Sequence, residues 1–132
     1  MAEVLAGRGL RIVSGGTDCH MFLVDLRPLA VTGKDAEAAL GFANITVNKN
    51  AIPNDPEKPT VTSGVRLGSA ALTTRGLGVV EARIVAGLVA DALVARGDTL
   101  RLARVQRQVR EICDAYPVYR GAKRRAIEEV TA

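Results

Sequence analysis

Arg66 is set between apolar neighbours in VTSGVRLG, residues 61–68, at the exit of a long irregular stretch. A guanidinium delivered by a short strand can grip a carboxylate or phosphate through two parallel N–H bonds. The same residue could equally form a structural ion pair with a carboxylate such as Asp25. The stretch before it, residues 47–68, holds Pro53, Pro56 and Pro59 and three asparagines, with no helical period. Each proline fixes φ and pushes its predecessor towards extended backbone, and Asn54-Asp55-Pro56 adds turn chemistry. A connection this long inside a compact domain is usually functional. Asn50 in this stretch offers donor and acceptor at one point, although loop capping uses asparagine as well.

A second group is Asp18-Cys19-His20. Consecutive positions point in different directions and no second cluster accompanies them, so no metal site is expected. His20, the one histidine, is expected to be hydrogen-bonded in a structural role. Cys19 as a nucleophile would need a base supplied by the fold. Gly7-Arg8-Gly9 and Gly76-Leu77-Gly78 lack the strand–turn–helix context of a dinucleotide fingerprint.

The elements that must position these residues are legible from periodicity. Residues 1–8 read as one or two helical turns, and residues 10–13 as a short strand. Residues 21–26 form an apolar run bounded by turn signals, as in a buried strand. Thr32 followed by Asp35 opens a helix through Leu40 and Ala43. Ile45 and Val47 predict another short extended piece. A single helical turn is expected at residues 72–75, and a helix over 79–95 with a broad apolar face made of Val80, Ile84 and Leu88 beside Val85, Val89 and Leu93. Leu102, Val105, Val109, Ile112 and Tyr116 predict an amphipathic helix stopped by Pro117. Residues 121–130 suggest a charged tail helix. The pattern predicts an α+β fold, a small and mostly antiparallel sheet of about three to four short strands packed with helices.

At 132 residues, with 48% apolar and 24% charged, the chain is one globular domain with a core of its own. No 18-residue apolar run or secretory leader is visible, and Cys19 and Cys113 are far apart, so a cytoplasmic protein with no membrane partner is expected. The net charge is +4, and half of the basic residues fall between 96 and 125. Arg101, Arg104, Arg107 and Arg110 recur on a helical pattern with few aromatic neighbours, which fits a solvated helix face better than nucleic-acid binding.

VSGGTDCHMFLVDLRP at 13–28, VTGKDAEAALGFANITVNKNAIPNDPEKP at 31–59, VTSGVRLG at 61–68, LTTRG at 72–76 and AYPVY at 115–119 together resemble serine hydroxymethyltransferase. The likeness runs collinearly from about residue 9 to 119 and covers only the C-terminal part of that enzyme. It implies the fold of pyridoxal-phosphate enzymes of the aspartate-aminotransferase type, moving a one-carbon unit between serine and tetrahydrofolate. It also implies a linker-helix remnant (1–8) and a C-terminal domain (9–119), and the residue pattern beyond them adds a charged tail helix (120–132).

On this resemblance Arg66 matches the arginine that holds the substrate α-carboxylate, while Asn50, Lys58, Pro59 and Thr60 match the folate-contacting region. The Schiff-base lysine and the groups that hold pyridoxal phosphate lie upstream in the family. None of Lys34, Lys49, Lys58 and Lys123 stands in the matching context, so no catalytic residue is expected here. The sequence departs from the family at Cys19 (usually Asn), Phe42 (usually Arg), Thr60 (usually Phe) and Ser69-Ala70 (usually Thr-Pro). Two roles follow. The chain could dock with a separate large-domain chain, within an enzyme that is a homo-oligomer when complete, or survive as a non-catalytic interaction module. Exposed apolar surface and self-association are expected in either case.

Overall fold

The computed structural model describes residues 1–118. The expected tail helix, with Tyr119 and Lys123, lies outside them.

The elements, in chain order, are α1 (Ala2–Gly7), β1 (Arg11–Ile12), β2 (Met21–Asp25), α2 (Gly33–Phe42), β3 (Asn48–Asn50), β4 (Gly64–Gly68), α3 (Ala70–Arg75), α4 (Val79–Val94) and α5 (Thr99–Ala115). All four strands pair antiparallel in the order β1-β2-β4-β3. This is the α+β arrangement that the alternation of short apolar runs and helical periods predicted.

One face of the sheet is covered. Ile12, Phe22, Val24, Val65 and Leu67 are buried in one cluster with Leu40, Leu88, Val89, Leu93, Leu102, Val105 and Val109 from α2, α4 and α5. Each fully buried aliphatic chain contributes about 1.5–3 kcal/mol, so this layer, not the short strands themselves, holds the sheet. The other face carries half-buried Met21 and Leu23 beside exposed Arg11, Asn48, Arg66 and Gly68.

Helix starts follow local chemistry. Thr32 Oγ1 accepts from the Asp35 N–H at 3.1 Å, Asp98 Oδ1 from the Arg101 N–H at 3.0 Å, and Glu81 Oε2 from the Gly78 N–H at 2.9 Å, each satisfying an orphan donor of a first turn. Helix α5 ends two residues before Pro117, as expected.

Three expectations are corrected. The extended piece placed at Ile45 and Val47 is in fact strand β3 at Asn48–Asn50, because pairing with β4 overrides the poor strand propensity of asparagine. The turn expected at 72–75 begins two residues earlier, at Ala70. The apolar face of α4 is narrower than its period implies. Leu88, Val89 and Leu93 are buried, but Val79, Val80 and Ile84 are 73%, 67% and 52% exposed. Helix α1 runs alongside α4 without covering them, held by Arg83–Glu3 and Arg8–Asp91 ion pairs.

Candidate functional site

Arg66 lies on β4, directly opposite Leu23 of β2 on one side and Asn48 of β3 on the other. Its neighbours in the strand, Val65 and Leu67, point into the core and anchor the backbone. The guanidinium is thereby presented on the open face. Among the described residues it has no carboxylate partner. The ion pair with Asp25 that the sequence left open does not form, because Asp25 is taken.

Asp25, 1% exposed, accepts from Arg11 Nη1 at 2.8 Å and from Arg27 through Nε, Nη2 and the backbone N–H. The Arg27 side chain is the largest influence on its carboxyl, which is held at about 2 against the opposing effect of burial. A charge desolvated this far persists only when paired and hydrogen-bonded. The cluster closes the β1–β2 end of the open face and leaves Arg66 beside it without a carboxylate among the described residues.

Asn50 pairs across the ladder with Gly64, so it shares the open face with Arg66 on a diagonal, roughly 7–8 Å away by ordinary sheet geometry. Its Nδ2 donates to the Ala51 carbonyl at 2.8 Å, which orients the amide and leaves its oxygen available. Gly64 is required at this crossing. A Cβ there would stand 2.6 Å from Ile52 Cγ2 and 2.9 Å from both the Asn50 and Val24 carbonyl oxygens.

The loop from β3 to β4 is folded around Asp55. Its carboxylate accepts from the N–H groups of Ile52 (3.2 Å), Glu57 (2.9 Å) and Ser63 (2.8 Å) and from Ser63 Oγ (2.7 Å). Burial opposes ionisation, but these donors outweigh it and bring the carboxyl to about 2. Sequence reasoning credited Asp55 only with turn chemistry. The signal that could have found it is the Asx pattern, an Asp whose acceptors face N–H groups two residues on. Lys58, Pro59 and Thr60 are exposed at the tip, and the Lys58 carbonyl accepts from the Val61 and Thr62 N–H groups at 2.9 Å each.

Thr62 is buried with a φ of 61°, a conformation that costs a β-branched residue on the order of 1–3 kcal/mol. Three bonds hold it: its N–H to Lys58 O, Gly33 N–H to its carbonyl, and its Oγ1 to the Gly64 carbonyl at 3.2 Å. The structure therefore brings Arg66 and Asn50 together on one face and sets Lys58, Pro59 and Thr60 on the adjoining loop.

Asp18, Cys19 and His20 lie in the exposed turn before β2. The His20 contact that matters runs through its carbonyl, which accepts from the Ser69 N–H at 2.8 Å, while the residue itself is exposed. Cys19 Sγ lies 3.5 Å from Thr17 Oγ1 and donates to the Met21 carbonyl at 3.2 Å. The thiol is shifted down from its ordinary value, first by the Thr17 hydroxyl. Neither neighbour is a base. Among the described residues no group of three His, Cys, Asp or Glu could hold a metal ion, and no helix is long and apolar enough to cross a membrane.

Fold and site together define a small α+β domain that presents polar groups from an open sheet face rather than enclosing them. A family model described as serine hydroxymethyltransferase matches residues 1–89. Serine hydroxymethyltransferase 1 of Pseudomonas fluorescens (strain Pf0-1) is 59% identical over 119 residues, 90% of this chain and 29% of that protein. Serine hydroxymethyltransferase of Nitrosospira multiformis (strain ATCC 25196 / NCIMB 11849 / C 71) is 60% identical over 121 residues, 92% of this chain and 29% of its own length. The chain belongs to the serine hydroxymethyltransferase family, a family of transferases. It spans about 29% of the length of the curated relatives it matches.

Proposed function

We propose that this chain supplies one wall of a serine hydroxymethyltransferase site, in which serine and tetrahydrofolate are interconverted with glycine and a folate-borne one-carbon unit in the cytoplasm. Arg66 holds the α-carboxylate of the amino acid. Asn50 and the loop residues Lys58, Pro59 and Thr60 face the folate. The observation that carries this reading is the exposed Arg66 guanidinium, without a carboxylate partner among the described residues, on the same face as Asn50. A fork of two charge-assisted bonds fixes the direction as well as the position of a carboxylate.

Pyridoxal phosphate is the electron sink that the family implies. The described residues do not fit it. Lys34 and Lys58 stand exposed, and Lys49 reaches Glu37 Oε2 at 3.8 Å, so among the described residues no lysine is placed to hold an aldehyde cofactor. On this reading the cofactor is held by a large domain outside the described residues, and the work of the described residues is to bind and orient. A second reading, a non-catalytic interaction module, draws support from the exposed Val79, Val80 and Ile84.

The test is complementation. The chain is mixed with a separately produced large domain loaded with pyridoxal phosphate, and glycine formation from serine and tetrahydrofolate is followed. Conversion is expected with the pair and not with either half. An inactive pair, together with no glycine-induced NMR shift at the Arg66 side chain, would overturn the enzymatic reading in favour of the module.

A further inference from the structure

We propose that Asp55 is a positioning residue that fastens the folate-facing loop to the arginine-bearing strand, so that the two ligand-binding ends of the site keep a fixed separation. The inference rests on the function proposed above and names a device that the function leaves unassigned.

The four donors to Asp55 come from the entrance of the loop (Ile52), its middle (Glu57) and its exit (Ser63). One carboxylate thus closes a loop of three prolines that has no ladder of its own. Ser63 carries the link onward, since its carbonyl accepts from the Leu26 N–H at 2.9 Å, tying the loop exit to the end of β2. The next residue, Gly64, enters β4, and Arg66 follows two positions later. Thr62 holds its left-handed backbone within the same exit. Strain of this kind persists only where the surroundings over-determine the conformation; here Lys58, Gly33 and Gly64 hold Thr62 directly, and Asp55 fixes the adjoining Ser63.

The two ends of the site respond differently to loss of this clamp. Arg66 is paired on both flanks, with β2 and β3, and keeps its place without Asp55. Lys58, Pro59 and Thr60 have only the loop's internal bonds. Removing the clamp therefore loosens the folate end and spares the carboxylate end. A purely structural loss would weaken both together.

The experiment compares wild type with Asp55→Asn and Ser63→Ala, using glycine and 5-formyltetrahydrofolate as separate probes of the chain combined with the loaded large domain. Asp55→Asn sets two amide hydrogens against N–H donors and is expected to weaken the folate probe roughly tenfold, with glycine affinity changed less than about twofold. Ser63→Ala removes one donor, keeps the charge and serves as the milder variant, expected to show the same split at smaller size. Equal weakening of both probes, or no change in either, overturns the proposal. Hydrogen exchange at the Ile52, Glu57 and Ser63 amides is read on the chain without ligand. Faster exchange in Asp55→Asn is expected, and unchanged exchange overturns the clamp. If wild type binds no folate probe at all, the folate reading fails, and the exchange data still decide the role of Asp55.

Discussion

Asn48 stands directly opposite Arg66 in the β3–β4 ladder, so a neutral amide residue occupies the cross-strand position where a carboxylate would neutralise the guanidinium. Opposed residues on one sheet face are close enough to interact. An acid there would have produced a surface ion pair of small worth. With asparagine opposite, the cation keeps its capacity to bind an incoming anion.

The first prediction concerns that cation. Arg66→Ala is expected to lower glycine affinity of the chain combined with a loaded large domain by about a hundredfold, the value of two charge-assisted bonds. Stability should move by no more than about 0.5 kcal/mol, since the side chain is exposed and bonds to nothing among the described residues. Calorimetric titration and a urea melt check the two halves. A large loss of stability would assign Arg66 to the scaffold.

Acid should unfold the chain through two carboxylates. Asp25 and Asp55 are both held at about 2, against an ordinary value of 3.8, so each binds its proton less readily folded than unfolded. Their stabilisation is fully present above about pH 4 and is lost as pH falls towards 2. Asp25 alone accounts for a loss on the order of 2 kcal/mol across this window. Urea midpoints measured from pH 6 to pH 2 should fall steeply in wild type and more gently in Asp25→Asn.

Gly64→Ala tests the close crossing beside Asn50. The added methyl must displace Ile52, or the backbone of β3 or β2, at a cost of about 1–3 kcal/mol. A lowered melting temperature is expected, with broadened Asn50 and Arg66 resonances. An unchanged spectrum would show that the strands have room to separate.

Val80→Glu and Ile84→Lys address association. Both positions face away from the core, so each change should leave the urea midpoint within about 0.5 kcal/mol. Wild type is expected to self-associate with rising concentration, and the double variant to remain a monomer by sedimentation. Association that survives both charges would place the contact elsewhere.

Much of this molecule can be read from its residue order, for reasons that differ by element. Strand β2 is an apolar run between turns, and α5 a clean period, so their burial was legible before any tertiary contact was known. Strand β3 was not, because Asn48, Lys49 and Asn50 carry no strand propensity and pair only once β4 is there to receive them. The face of α4 misled in the opposite direction. Its valines and isoleucine satisfy a helical period, but periodicity reports which residues share a side and not whether anything covers that side. Arg66 was found because an arginine between apolar strand residues is unusual. Asp55 was missed because three of its four donors are backbone N–H groups, invisible in side-chain types.

The edges of the sheet carry a further consequence. The outermost strands, β1 and β3, are two and three residues long, and β3 bears Lys49 at its centre. Short, charged borders give an arriving strand too few free backbone groups to zip onto, a protection that sheet proteins use against runaway stacking. Here the protection falls on the strand that holds Asn48 and Asn50. On the function proposed above, this shortness lets β3 offer its amides to a small ligand without recruiting another chain's backbone.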